Sequence, residues 1–147
     1  MEIGNIGEFK VQAEGRIGRL AAELALLPQY EPETRHYFAD GMYCREVFRR
    51  AGVLVVGKVH KREHFYYVSC GTVLVASDTE TKEVIGPMMI VSQPGTKRAV
   101  FAITDAMCLT VHRTDKTDLA EIEKELIEDD PDAMYGPDNK LKQGVLQ

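Results

Sequence analysis

Two hydrophobic periods alternate along the chain. In residues 13–27 the apolar positions Ile17, Leu20, Ala21, Leu24 and Leu27 recur at steps of three and four, and Pro28 stands where a helix must stop. That spacing predicts an amphipathic N-terminal helix. Residues 29–41 mix a proline, charges and aromatics without a period, and predict a connector with at most one helical turn. From Met42 the period becomes two. Runs rich in Val, Ile, Tyr and Phe at 43–48, 53–60, 64–69, 72–76, 83–85, 88–92, 99–104 and 107–112 are separated by turn signals such as Ala51-Gly52, Cys70-Gly71, Gly86-Pro87 and Pro94-Gly95. About eight short strands with frequent turns and no intervening helix predict an all-β body, a small antiparallel sandwich or barrel.

Near Asp118 the period changes again. Asp118 and Glu121 have capping-box spacing, and Leu119, Ile122 and Leu126 line one face of a predicted helix ending near Asp129. Its acids are expected in solvent, and its apolar stripe against the body or a sister subunit. After Pro131 the tail is polar and is expected to be mobile unless a partner orders it. The predicted organisation is a helical arm at 1–41, a β body at 42–116, a C-terminal amphipathic acidic helix at 117–130 and a polar tail at 131–147.

A chain of 147 residues with 44% hydrophobic and 28% charged positions fits one globular domain. No run of about 18 apolar residues occurs, and the first ten residues lack the basic-then-apolar order of a signal peptide. The expectation is a protein without a membrane partner, located in the cytoplasm. Cys44, Cys70 and Cys108 show no CxxC spacing and are expected as reduced thiols. A net charge of −5 argues against a nucleic-acid polymer as partner, but it conceals an asymmetry. Residues 42–116 hold 11 Lys/Arg against 7 Asp/Glu, whereas residues 118–132 hold one Lys against 8 Asp/Glu.

The histidines carry the candidate chemistry. His60-Lys61-Arg62-Glu63-His64 matches the H-x-x-E-H string of inverted zinc proteases, but that motif needs a helix and both flanks here have β composition. A strand context suits a different pattern. Gly52-x5-Lys58-x-His60-x3-His64-x6-Gly71 resembles the first signature of the cupin superfamily, with Lys58 in place of its first histidine and His64 in place of its glutamate. Pro94 to Arg98 resembles the turn of the second signature, with Arg98 where a metal-binding histidine is usual. The order of Gly57 to His64, Pro94 to Arg98 and Thr110 to Asp115 is also similar to small cupin-like proteins of tailed bacteriophages. The resemblance covers residues 43–113 and implies a cupin-like jelly-roll β-barrel with a degenerate metal motif.

Two uses of these residues stay open. His60, His64 and His112, if they converge, could hold one divalent transition metal (Fe, Mn, Zn or Ni) as neutral imidazoles, with Glu63 or a tyrosine as acid–base group. Otherwise no cofactor is needed. Lys58, Lys97 and Arg98, with the three histidines and Tyr66, would then hold a small anionic, nucleotide-like ligand. Three functions follow: a non-enzymatic phage-type cupin sequestering a host signal in the host cytoplasm; a metal-dependent cupin enzyme of isomerase, dioxygenase or hydrolase type; or a structural, virion-associated assembly protein. The apolar stripes of the two helices further suggest a homo-oligomer.

Overall fold

The computed structural model describes residues 5–145, with side chains from Gly15 onward. Among the described residues there are two helices, α1 (Asn5–Leu24) and α2 (Leu119–Leu126), and nine strands. The strands are β1 (Thr34–Ala39), β2 (Met42–Arg49), β3 (Leu54–Val56), β4 (His64–Cys70), β5 (Thr72–Ala76), β6 (Thr81–Ile85), β7 (Met88–Ser92), β8 (Ala99–Ala102) and β9 (Ala106–Arg113). They form a five-stranded sheet, β1-β2-β9-β4-β7, and a four-stranded sheet, β3-β8-β5-β6. All pairings are antiparallel.

The architecture is therefore mixed α/β, with two open sheets and a helix towards each end of the chain. This corrects the expectation of an all-β, closed jelly-roll barrel. No ladder joins the edge strands β1 and β7 to β3 or β6, because the chain switches sheets at tight corners and hydrogen bonding stops there. Gly71, between β4 and β5, is one such corner: at φ 88° its missing Cβ would lie 2.2 Å from the Asp105 carbonyl oxygen.

Two further differences have local causes. Residues 29–41 contain β1 in place of a helical turn, paired in register with β2 from Thr34↔Val47 to Ala39↔Met42. Residues 135–141 of the tail bond to the segment leading into β1: the Tyr135 hydroxyl donates to the Tyr30 carbonyl at 2.6 Å, Asn139 Nδ2 to Thr34 Oγ1 at 2.8 Å, and the Leu141 amide to Glu31 at 2.8 Å. Backbone and side-chain donors of a polar tail here find partners inside the same chain.

α1 is broken at Gly15 (φ 78°, ψ −176°), and its second part restarts under a borrowed cap. The Ile17 amide donates to Asp78 Oδ1 at 3.0 Å, and Arg16 Nε to the Ser77 carbonyl at 2.7 Å. Asp118 caps α2 by accepting from the Glu121 amide, in agreement with the capping-box spacing. No described helix is long and apolar enough to cross a membrane.

Pairing registers sort the inner face of the five-stranded sheet into rows, because cross-strand partners share a face. One row runs Phe38–Tyr43–His112 and continues in His64–Ser92; the next runs His36–Arg45–Thr110–Tyr66–Ile90; the third runs Thr34–Val47–Cys108–Val68–Met88. Val68 and Cys108, from the third row, join Val73, Val84, Val100, Ala102 and Ala106 in the core between the sheets. Tyr43, at the opposite end, packs with Ile122 and Leu126 of α2. The polar second row lies between these two apolar clusters.

Candidate metal centre

His60, His64 and His112 converge. One ring nitrogen from each lies within 4.8 Å of the others, and ring centroids are 4.2 Å (His60–His64), 4.6 Å (His64–His112) and 5.2 Å (His60–His112) apart. His64 opens β4 and His112 nears the end of β9, so backbone ladders fix both. His60 lies outside the named strands. The chain leaves β3 at Val56, and residues 59–61 instead run along the end of α2: the Glu128 amide donates to the Val59 carbonyl, and the Lys61 amide to the Leu126 carbonyl. His60 itself bridges Ile127.

The charge asymmetry of the sequence explains that course. Lys58 pairs with Glu123, Arg62 with Glu125 at 3.0 Å, and the Lys61 ammonium donates to the Lys124 carbonyl at 2.8 Å. Glu125 also accepts from the buried Thr114 hydroxyl. The acids of α2 expected in solvent thus include two that clamp the basic segment 58–62 and position His60.

Burial sets the protonation of the triad. It pushes His60 down to about 2, helped by His64, His112 and the positive charges of Arg45 and Arg98. His112 falls to about 3 through burial, His64 and Arg45. His64 is also lowered by burial, against the opposing Arg62 carbonyl. The His64 Nδ1–H donates to that carbonyl at 3.2 Å, which fixes the tautomer and leaves Nε2 as a free acceptor.

Three neutral imidazoles form a donor set suited to one divalent transition metal. A tetrahedral ion with metal–nitrogen bonds of about 2.0 Å needs nitrogens about 3.3 Å apart, closer than the 4.8 Å within which the three lie. Lys58, which stands where the first cupin histidine would be, is neutralised by Glu123, whereas Arg98 has no ion-pair partner among the described residues.

All the sequence-derived site residues, Lys58, His60, His64, Tyr66, Lys97, Arg98 and His112, line one cavity of about 620 Å³. The cationic half of the expected anion pocket is not assembled as foreseen. Lys58 is matched by Glu123 and by the Tyr135 carbonyl, and Lys97 faces Asp130 at 3.8 Å, so a nucleotide-like ligand loses two of its three cations. Glu63 is bonded to Gln93 and is not among the cavity-lining residues. Of the two helix stripes, Ile17, Ile122 and Leu126 are buried within the chain, while Leu27 stays exposed.

Sequence reasoning missed Arg45, Arg49 and Thr110, which line the same cavity. The signal was present: alternation along Tyr43-Arg45-Val47-Arg49 places both arginines on the face of two core residues. Tyr43 was also missed. Its ring stacks on His112 at 5.8 Å and its hydroxyl lies 2.6 Å from His36 Nδ1, while burial raises it to about 12.

No protein-family model and no curated protein matches the chain. Solved structures do. KdgF from Halomonas sp. aligns with a TM-score of 0.52 at 12% identity, over 60% of this chain and 84% of its own. A RmlC-like cupin from Shewanella frigidimarina aligns at 0.51 and 14%, over 60% and 80%. The DMSP lyase DddQ from Ruegeria pomeroyi aligns at 0.51 and 14%, over 60% and 49%. The fold is therefore cupin-like. These structural relatives are bacterial proteins, and they lend nothing to the narrower resemblance to bacteriophage proteins.

Proposed function

We propose that the chain is a metal-dependent cupin-type enzyme, holding one divalent transition metal on His60, His64 and His112 and acting on a small molecule in the adjoining cavity. The observation that carries this reading is the meeting of three neutral imidazoles at the cavity wall. With three protein donors, such an ion keeps positions open for water or substrate, and it supplies Lewis-acid polarisation or an activated water. The chain's own residues orient the site. The Arg62 carbonyl holds His64 in its donor tautomer, the Tyr43 ring backs His112, and the α2 clamp holds His60. Isomerase, hydrolase and dioxygenase chemistry all suit this arrangement, and metal identity separates oxygen chemistry on Fe from hydrolysis or isomerisation on Zn.

The test is metal content per chain in protein purified without a histidine tag or chelator. Close to one Fe, Mn, Zn or Ni per chain, absent from a folded His60→Ala variant, is expected. A folded wild-type protein that neither carries nor takes up any of these metals contradicts the reading.

A further inference from the structure

The row beside the histidines, together with Arg49 on the same face, presents unsatisfied polar groups. Arg49 Nε, Tyr66 OH and Thr110 Oγ1 are buried without a well-formed hydrogen bond, Arg49 and Tyr66 interacting only loosely with each other and with Cys108. Such groups are costly to bury unless a ligand completes them. Arg45 and Thr110 are register partners, as are Tyr66 and Thr110, so these side chains share one patch of the sheet, and Arg49 lies on the same face four residues along β2. All four line the cavity that contains the triad.

The charge of the patch points the same way. Among the described residues no carboxylate is paired with Arg45, Arg49 or Arg98, while of the three carboxylates that line the cavity Glu123 and Asp130 are taken by Lys58 and Lys97, leaving Asp132 alone against the three guanidinium groups. Two or three unpaired guanidinium groups beside a divalent ion would repel it strongly unless an anion joined them. Apolar residues Leu54, Val100, Leu119 and Ile122 complete the wall, so the space favours an anion with a carbon skeleton over a bare inorganic ion.

We infer that Arg45, Arg49, Tyr66 and Thr110 form a carboxylate-binding subsite, and that the substrate is a small organic acid whose carboxylate sits on this patch while another of its oxygens faces the histidine triad. The guanidinium groups grip the carboxylate through charge-assisted hydrogen bonds, and the two hydroxyls donate to it. This names the substrate class for the metal site proposed above and rests on that reading for its second contact, but not for its first.

The experiment measures thermal stabilisation and calorimetric binding with succinate, inorganic phosphate and uncharged succinamide, each in the presence of EDTA and after loading with Zn. Wild-type protein is expected to be stabilised by succinate but not by succinamide, and more strongly when loaded, by reciprocal coupling. Arg49→Met is expected to melt at or above the wild-type temperature without ligand, since an unpaired buried cation has been removed, and to lose succinate binding at least 10-fold. Tyr66→Phe and Thr110→Val, which remove only hydroxyls, are each expected to weaken succinate several-fold and serve as the test if Arg49→Met does not fold. Folded variants that bind succinate as wild type does, or a wild type that binds phosphate in preference to succinate, overturn the subsite. Succinate binding in EDTA with no uptake of Zn overturns the metal reading alone.

Discussion

Two of the three histidines and the third are held by different means. His64 and His112 sit on ladder positions of the five-stranded sheet, where each neighbouring strand fixes the backbone. His60 sits on a segment that has left its sheet and is tied to the end of α2 by backbone hydrogen bonds and charge pairs. The difference separates a rigid half of the site from an adjustable half. Ladder histidines depend on the core, whereas His60 depends on electrostatics that substitution and pH can alter without unfolding the sheets.

The largest expected effect tests the rigid half. Gly71→Ala forces a Cβ against the Asp105 carbonyl at a corner feeding β4 and β5, and is expected to destabilise the fold by about 3 kcal/mol or more, read by denaturant unfolding. Val68→Ala, at a fully buried core position of β4, is expected to cost about 2 kcal/mol while metal stoichiometry stays unchanged.

Acid addresses all three histidines together. Their folded pKa values lie below the ordinary 6.5, so the native state stays neutral where the unfolded chain takes up protons. In metal-free protein the stability they contribute is complete above about pH 6.5 and is lost as pH falls toward their folded values, at about 1.4 kcal/mol per pH unit for each histidine that remains neutral. Urea titrations between pH 7.5 and 4.5 read this slope. A His60→Ala/His112→Ala variant is expected to flatten it, and an unchanged slope would remove the burial argument.

The smallest effect, and the sharpest for the comparison, concerns the clamp. Glu123→Gln leaves Lys58 without its carboxylate beside the triad and is expected to weaken metal binding about 10-fold, with a stability loss of about 1 kcal/mol. Lys58→Met together with Glu123→Gln is expected to restore most of the affinity, because the freed cation has gone. A double variant no better than the single one would mean that the pair acts only on the local backbone.

The triad was legible because the cupin-like spacing of His60 and His64 survives in sequence, even though His60 stands beyond the end of β3 and not on a strand face. The reach of His112 was not, since convergence depends on β9 pairing between β2 and β4. β1 escaped notice because it is an edge strand whose residues are mostly exposed and whose burial alternates only over residues 34–37. Strand count and turns predicted a sandwich or barrel and the cupin resemblance implied a closed one, but none of these records whether edge strands pair. Arg45 and Arg49 resembled solvated strand residues, and only their phase with Tyr43 and Val47 marks them as inward. The acidic helix showed its charge and its stripe but not its partner, because Lys58 and Glu123 are 65 positions apart and meet only in the fold.

The most direct test of the account is a calorimetric titration of chelator-treated, refolding-competent protein with Zn and Mn, beside His112→Ala. The account predicts saturation at one ion per chain in the wild type and an affinity lower by more than about 100-fold in the variant, the loss of a direct ligand exceeding that of an outer partner. Equal binding by wild type and His112→Ala, or none by a wild type shown to be folded, would contradict it.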